Sequence, residues 1–416
     1  MNTTFPKVLV AQIGARRHYQ QPVLFQEWGV LDKLYTDFYC QDSPLTRLLK
    51  QDLLYSKYPK FIKKSLERYS PLLATARVAY FPQLALKYNF SLKRASLAQK
   101  SLVNIQTAKE FCHKIIRSKL SEVDVVYGFD GACLELFEYA KTKGIKCVLD
   151  QTVAERSLIH RLLLEEENLW SGWSKHPFKV YPADIELAKR QHKEQQLADR
   201  IVCGSSFVKD SLVAKGIEPS KIFVVSLGDI KNKQTICRQD LSKNADVTKG
   251  INILFAGSVG LRKGIQYLLQ ALKQLKGKIP FSCKVAGLLN IDSEIVKEYS
   301  DVADFIGLVP RSQMEQLYSW ADVFVLPSIC EGSAMVTYEA LSHQLTTITT
   351  HNTGSIVRHN IDGFVNQIRD SHAIAEQIMF LYENRRSSPQ PEDIQDYLMS
   401  QNACAKSLLK KCLLTA

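Results

Sequence analysis

The sequence predicts an α/β protein made of two Rossmann-like halves of similar size. Three observations predict it. Short apolar runs recur without the polar alternation of a half-exposed sheet, which suits parallel strands buried on both faces. Stretches with helical apolar spacing separate these runs, and that alternation implies a parallel sheet covered by helices. The series is interrupted once, near the middle, by a polar stretch poor in apolar residues, and then begins again.

In chain order, the first strand is Lys7-Val-Leu-Val-Ala-Gln-Ile13, ending at Gly14. Leu92 to Leu120 reads as a long amphipathic helix or helix pair, with Val103, Phe111 and Ile115 on one side. Asp124–Tyr127 is a strand, and Leu134–Lys143 a helix closed by Gly144, a good C-cap. Lys146–Asp150, Arg200–Gly204 and Ile222–Val225 complete the first set of strands. The second set comprises Ile251–Ala256, Cys283–Ala286, Phe305–Gly307, Val323–Leu326 and Thr346–Thr349, with helices such as Ile265–Leu275 and Gln313–Trp320 between them. The expected organisation is a first domain over 1–230, a linker over 231–250, a second domain over 251–390 and a helical tail over 391–416. The tail is free to pack on either domain.

Composition supports an ordinary globular protein. The 416 residues are 45% hydrophobic and 23% charged, enough apolar material for two or three domains. With 19 Gly and 14 Pro the chain is neither collagenous nor of low complexity. No apolar run is long enough for a spanning helix. Met1 leads directly into Lys7-Val-Leu-Val10 without a basic-then-apolar leader, so a cytoplasmic location is expected. The 10 cysteines are scattered and form no CxxC pair, which reads as small buried hydrophobes rather than metal ligands or a disulfide framework.

The net charge of +12 is concentrated. Residues 41–120 hold 16 Lys/Arg against 4 Asp/Glu, so the rest of the chain is neutral. Aromatic residues interleave there, and Lys57-Tyr-Pro-Lys-Phe-Ile-Lys-Lys64 is the densest stretch. Three readings stand: a solvated helical face over core aromatics, an anionic membrane surface, or a nucleic acid or other polyanion. We expect reversible, salt-sensitive contact with an anionic membrane and no nucleic-acid partner.

Three motifs carry chemistry. In Phe255-Ala-Gly-Ser-Val-Gly-Leu-Arg-Lys-Gly264 a strand runs through glycines into a helix. Gly257 and Ser258 allow close backbone approach, while Arg262 and Lys263 add positive charge. That suits a diphosphate; an ordinary strand–loop–helix turn is the alternative. In Leu326-Pro-Ser-Ile-Cys-Glu-Gly-Ser-Ala-Met-Val-Thr-Tyr-Glu-Ala340, small residues Gly332, Ser333 and Ala334 stand where a helix begins, so their amides can face an anion. Glu331 precedes them, and Glu339 lies about two helical turns on, where a carboxylate can accept two hydrogen bonds from a ribose diol. The plainer account is a Glu favouring the helix dipole and a solvated Glu339. The third motif, His351 to Val365, follows a strand and has Asn360 and Gly363 at positions suited to positive φ.

The order and spacing of these motifs resemble the retaining, nucleotide-sugar-dependent glycosyltransferase family 4. Gly257, Lys263-Gly264, Pro327-Ser328, Glu331-Gly332 and Glu339-Ala340 match that family's nucleotide-binding half. Ala198–Ser205 with Lys221–Gly228 is similar to its domain-crossing strand and hinge, and Ile13-Gly-Ala-Arg-Arg-His-Tyr19 occupies the place of its glycine-rich first loop. The resemblance is strongest over 197–365. Ser258 stands where the family often has Arg, with Arg262 as the substitute cation. The stretch 124–130 lacks the family's His, leaving Asp130 or Tyr127 for sugar or acceptor contacts. Gln344-Leu-Thr346 replaces the Gly-x-Pro after the second Glu.

The resemblance implies a GT-B fold, two Rossmann-like domains facing each other across a cleft. It implies a hexosyltransferase acting with retention on a nucleotide-diphosphate sugar, with a glycan or lipid-linked acceptor of the cell envelope. In that reading Lys263, Arg262 and the amides at Gly332–Ala334 stabilise the leaving diphosphate, Glu331 orients sugar hydroxyls, Glu339 holds the ribose, and no obligatory metal or other cofactor is expected. Peripheral attachment to the inner face of the membrane would suit such an acceptor. The rivals are a nucleotide-sugar epimerase or hydrolase of the same fold, and a non-catalytic membrane- or polyanion-binding module.

Overall fold

The computed structural model describes residues 5–40, 46, 58, 63, 65–118, 120, 122–226, 250–384 and 394–414. Most of the dense basic stretch 57–64 and the expected linker 231–249 lie outside the described residues. The first sheet contains β1 (Val8–Gln12), β2 (Leu31–Thr36), β3 (Val78–Tyr80), β4 (Val125–Phe129), β5 (Lys146–Gln151), β6 (Arg200–Cys203) and β7 (Ile222–Val224), in the order β3-β2-β1-β4-β5-β6-β7. The second contains β8 (Ile251–Ala256), β9 (Phe281–Ala286), β10 (Asp304–Gly307), β11 (Val323–Leu326), β12 (Thr346–Thr350) and β13 (Gly363–Asn366), in the order β10-β9-β8-β11-β12-β13. Every strand pair in both sheets is parallel.

The helices are α1 (Gln20–Glu27), α2 (Pro82–Arg94), α3 (Lys100–Arg117), α4 (Leu134–Thr142), α5 (Arg156–Leu169), α6 (Pro182–Leu197), α7 (Ser206–Val213), α8 (Ile265–Leu275), α9 (Ser293–Glu298), α10 (Arg311–Trp320), α11 (Met335–Ser342), α12 (Ser371–Glu383) and α13 (Ile394–Leu414). The expected strands and most of the expected helices fall within a few residues of these bounds. The stretch 92–120 resolves into the helix pair, α2 ending before Ala95 and α3 beginning at Lys100. A capping box explains the break: Ser96 accepts from the next turn, and the Gln99 side chain accepts from the Ser96 amide at 3.0 Å. Phe111 and Ile115 are buried as expected, whereas Val103 is only half-buried.

Each sheet is covered on both faces, as parallel sheets require. In the first domain Leu9, Val126, Leu149 and Ile201 pack on one side with Phe111 and Phe137. Val8, Val10, Tyr127 and Val148 pack on the other with Phe25 and Leu409. The tail helix α13 bridges both domains. Its Ile394 and Leu398 sit against Tyr338 and Leu341, while Leu409, Cys412 and Leu413 join the first domain's core.

The helix α5 also crosses between domains. It is capped in the first domain, where Glu155 accepts from the Leu158 amide at 2.9 Å. Its Leu162, and Trp173 just beyond it, belong to the core of the second domain. Fully buried Glu166 accepts there from Gln266 Nε2 (2.8 Å), the Tyr267 hydroxyl (2.8 Å) and Arg369 Nε (2.6 Å). A carboxylate this buried is tolerated because all three contacts are hydrogen bonds and one partner is cationic.

Candidate active site

In each parallel sheet the strand order reverses once, between β1 and β4 and between β8 and β11. Ligands of doubly wound folds bind outside the carboxyl ends of the strands at such a point. The loops after β8 and β11 carry the first two motifs.

Gly257 follows β8 with φ 141°, and a Cβ there would lie 3.5 Å from Lys263 Cε. The bare backbone thus lets the Lys263 stem run alongside it. Gly264 closes the loop at φ 72°, where a Cβ would stand 1.9 Å from the Pro327 carbonyl oxygen. Only glycine lets the two loops touch, and the Ile329 amide then donates to the Arg262 carbonyl at 2.9 Å. The contact brings Glu331 between two cations: Glu331 Oε1 lies 2.8 Å from Arg262 NH1 and 3.0 Å from Lys263 Nζ. Burial pulls the Lys263 ammonium below the ordinary lysine range, and Glu331 partly offsets that by attracting its charge.

The third motif supports the second. The Glu331 amide donates to the Asn352 carbonyl (2.9 Å), Asn352 Nδ2 to the Ile329 carbonyl (2.8 Å) and the Ala334 amide to the Thr353 carbonyl (3.3 Å). Asn360 and Gly363 do adopt positive φ, at 62° and 149°. Among the described residues the Gly332 and Ser333 amides have no hydrogen-bond acceptor. Ser258 lies at the loop's edge, accepting from Asn290 Nδ2 at 2.6 Å. Glu339 sits on α11, and its Oε2 accepts from the Tyr318 hydroxyl at 2.8 Å. The Tyr318 ring stacks on His343, centroids 4.8 Å apart.

Asp130 comes from the opposite wall. Its Oδ1 accepts from the Thr152 amide (3.1 Å) and hydroxyl (2.5 Å), and its Oδ2 from Gln191 Nε2 (3.1 Å). It lines a cavity of about 200 Å³ with Arg16, Tyr88, Thr152, Arg156 and Gln191. Tyr127, the alternative to Asp130, is turned into the core and donates to Asp150 Oδ2 at 2.7 Å. The walls meet at Gly332, where a Cβ would lie 1.9 Å from the Thr152 carbonyl oxygen. Ser205 Oγ donates to the Gly332 carbonyl at 2.6 Å. The structure thus joins Glu331, Lys263 and Arg262 directly, and places Asp130 on the facing wall one residue from that contact.

Sequence reasoning overlooked Tyr318 and the cavity residues Tyr88, Arg156 and Gln191. Arg156 follows the carboxyl end of β5, so the rule locating ligands at such ends was a usable signal. Tyr318 gave none, because its pairing with Glu339 depends on how two helices meet.

Comparison with known proteins agrees with this fold. Residues 250–384 match the family described as Glycosyl transferases group 1. The lipopolysaccharide outer core galactosyltransferase WaaB shares the architecture with a TM-score of 0.61, at 14% identity over 98% of each chain. An Anabaena protein, HepE, in complex with UDP-glucose gives 0.55 at 14% identity over 98% of this chain and 100% of its own. The fold is therefore GT-B, and its second half carries a glycosyltransferase group 1 domain. An uncharacterized glycosyltransferase of Methanocaldococcus jannaschii is 28% identical over 120 residues, 27% of this chain and 30% of its own. EpsD of Bacillus subtilis, provisionally named a glycosyltransferase, is 31% identical over 140 residues, 31% of this chain and 36% of its own. The match thus spans about a third of each of these relatives.

Proposed function

We propose that the protein is a retaining glycosyltransferase of the family 4 type, moving a hexosyl group from a nucleoside-diphosphate sugar to a hydroxyl acceptor. The observation that carries this reading is the Lys263–Glu331–Arg262 cluster beside the unpartnered Gly332 and Ser333 amides, facing the Asp130 cavity. UDP-sugars are the first donors to try, since the similar HepE structure holds UDP-glucose.

In this mechanism the bond between the sugar's anomeric carbon and the phosphate oxygen breaks first, leaving an oxocarbenium-like sugar. Negative charge grows on the departing diphosphate, where Lys263, Arg262 and the amides stabilise it. Such preorganised donors are worth about 3 kcal/mol each. The acceptor oxygen attacks from the same face, and its proton passes to the departing phosphate oxygen. Glu331 orients the sugar hydroxyls and Glu339 the ribose. Charge is thus handled by side chains and amides, and no obligatory metal or other cofactor enters. The Asp130 cavity receives the acceptor.

The acceptor in this reading is a cell-envelope glycan or lipid-linked saccharide, met at the inner face of the membrane. None of the described helices is long and apolar enough to cross a bilayer. The first domain instead exposes Leu86 (65%) and Phe90 (56%) one turn apart on α2, with Leu97 (55%) beyond them. Lys87, Lys93 and Arg94 flank these residues, and the Arg94 guanidinium lies 3.9 Å from the Phe90 ring centroid. Mixed basic and apolar faces of this kind suit peripheral binding to anionic lipid.

Thermal-shift screening against UDP-, GDP- and ADP-sugars tests the donor class, because native-state ligands stabilise in proportion to ln(1 + [L]/Kd). Proton NMR of the product then reads the anomeric configuration. No shift with any nucleotide sugar would refute the reading, and an inverted product would remove retention.

A further inference from the structure

In the cavity on the first domain's wall, the Asp130 carboxylate is already committed to its own surroundings. Its Oδ1 accepts from Thr152 and its Oδ2 from Gln191. Gln191 reaches it because Gly131 has no side chain: at φ 81° a Cβ there would lie 3.2 Å from Gln191 Nε2. The Gln191 amide is left with its oxygen to offer, and Arg156 Nε donates to that oxygen at 2.7 Å. The relay Asp130–Gln191–Arg156 thus fixes the guanidinium through Nε and leaves both terminal nitrogens uncommitted. Among the described residues those nitrogens have no hydrogen-bond acceptor, and Arg156 forms no ion pair. Burial disfavours the Arg156 charge, while Asp130, Asp184 and Glu194 favour it. The charge stays, because a guanidinium does not give up its proton in a protein.

Arg16 lines the same cavity and also lacks an ion pair among the described residues. The charged groups around the space are therefore two guanidiniums and one carboxylate, which leaves one net positive charge. Tyr88 and Thr152 line it too. Each spends its hydroxyl proton on the wall, Tyr88 on Asn104 Oδ1 at 2.9 Å and Thr152 on Asp130 Oδ1 at 2.5 Å. Their oxygens are left to accept, and a polyol supplies the matching donors. At about 200 Å³ the space is smaller than the usual ~300–1,000 Å³ of small-molecule sites, so it fits one sugar unit rather than a chain.

We infer that the cavity receives a uronic acid unit of the acceptor, with Arg156 pairing its carboxylate and the Tyr88 and Thr152 oxygens accepting from its hydroxyls. A guanidinium with both terminal nitrogens free pairs a carboxylate in bidentate fashion, the strong form of such contacts. Charge selects a carboxylate over a phosphate ester. A carboxylate brings one negative charge and matches the lining, whereas a phosphate monoester brings about 1.5–2 at pH 7. The three carboxylates that act on Arg156 oppose that excess. The inference rests on the glycosyltransferase reading and names its acceptor class as an acidic glycan. Thr152 also meets Gly332 of the second domain, which sets the acidic unit beside the Glu331 cluster.

Ligand-observed NMR titration of the full chain tests it, with methyl glucuronide, methyl galacturonide, the matching neutral methyl glycosides and glucose 6-phosphate as probes. Wild type is expected to bind a uronide about tenfold or more tighter than its neutral counterpart, as a charged hydrogen bond implies. Arg156→Gln should remove that preference, and Arg156→Lys should keep part of it, retaining charge without the fork. Thermal shifts with UDP-, GDP- and ADP-sugars are read on the same variants. They should match wild type, which also shows that the variants are folded. Equal wild-type binding of uronide and neutral glycoside, or no uronide binding, overturns the inference whatever the variants do. A preference that survives Arg156→Gln overturns the role of Arg156. Tighter binding of glucose 6-phosphate than of either uronide overturns the assignment to a carboxylate. Absence of every nucleotide-sugar shift in wild type refutes the glycosyltransferase reading instead.

Discussion

Lys263 Nζ stands 3.0 Å from Glu331 Oε1, the oxygen that Arg262 NH1 approaches at 2.8 Å. One carboxylate thus holds two cations; in the proposed mechanism a diphosphate competes for them and frees Glu331 for sugar hydroxyls. The two cations are not equivalent: the Lys263 side chain is 10% exposed and that of Arg262 46%. Lys263→Ala should lower kcat roughly 100-fold, as removal of one preorganised donor does. Arg262→Ala should cost less, because water screens it. Steady-state kinetics decide, and a pure KM effect for Lys263→Ala would mean that it binds only the ground state.

The same pair sets a pH dependence. Burial lowers the pKa of Lys263, so its cation is lost at a pH below the ordinary lysine value of 10.5. Activity should therefore fall on the alkaline side earlier than an exposed lysine would dictate. Glu331 holds the proton on, so Glu331→Gln should move this alkaline limb of residual kcat/KM to lower pH. A limb that does not move would show that Lys263 is not the titrating group.

Glu339 has one carboxylate oxygen held by Tyr318, and in the proposed reading the other meets the ribose. Glu339→Gln should raise donor Kd about tenfold or more, in line with charged hydrogen bonds of about 1.5–3 kcal/mol. Tyr318→Phe should raise it less, since it removes only the positioning contact. Calorimetry with the donor nucleotide checks both, and wild-type affinity in Glu339→Gln removes Glu339 from the site.

Glu194 lies on α6, fully buried, accepting from the Gly131 (2.5 Å) and Cys133 (3.0 Å) amides next to Asp130. Burial pushes its pKa up to about 7. The folded state thus holds a proton that the unfolded chain releases near pH 4.5. The associated stability is present below that pH and lost as pH rises through about 7, by up to about 3 kcal/mol. Urea unfolding at pH 5 and pH 8 should show wild type losing stability across the window and Glu194→Gln losing less. Parallel curves would show that Glu194 does not titrate there.

Replacing Leu86 and Phe90 together by Ser should abolish flotation with anionic liposomes at low salt without altering transfer to a soluble acceptor analogue. Neutral liposomes should bind neither form. Equal binding of wild type to both lipid types would leave the basic segment as a solvated face.

The second domain was almost fully legible because its signals are local. The strand at β8, the helix Ile265–Leu275 and the Glu331–Glu339 spacing each lie within one supersecondary unit. The first domain yielded less. β2, Leu-Asp-Lys-Leu-Tyr-Thr, carries two charges at its half-buried start, and β3 spans three residues, too short for a pattern. Asp130 was readable as a candidate, but its partners Thr152 and Gln191 come from 22 and 61 residues away. Gln344 stands in the sequence where the resembled family has a glycine; that it adopts φ 57° is a property of the fold.

The passage of α5 from one domain's cap into the other domain's core has a consequence for recombination. A chimera made by exchanging everything before the linker would separate Glu166 from Gln266, Tyr267 and Arg369, and Leu162 and Trp173 from their neighbours. The transplanted half would bring a foreign helix to a fitted apolar seat, leaving a mismatched void and an orphaned arginine. The module that pairs with the second domain therefore starts well upstream of the linker. An exchange of first domains between relatives has to leave residues 158–174 with the host chain.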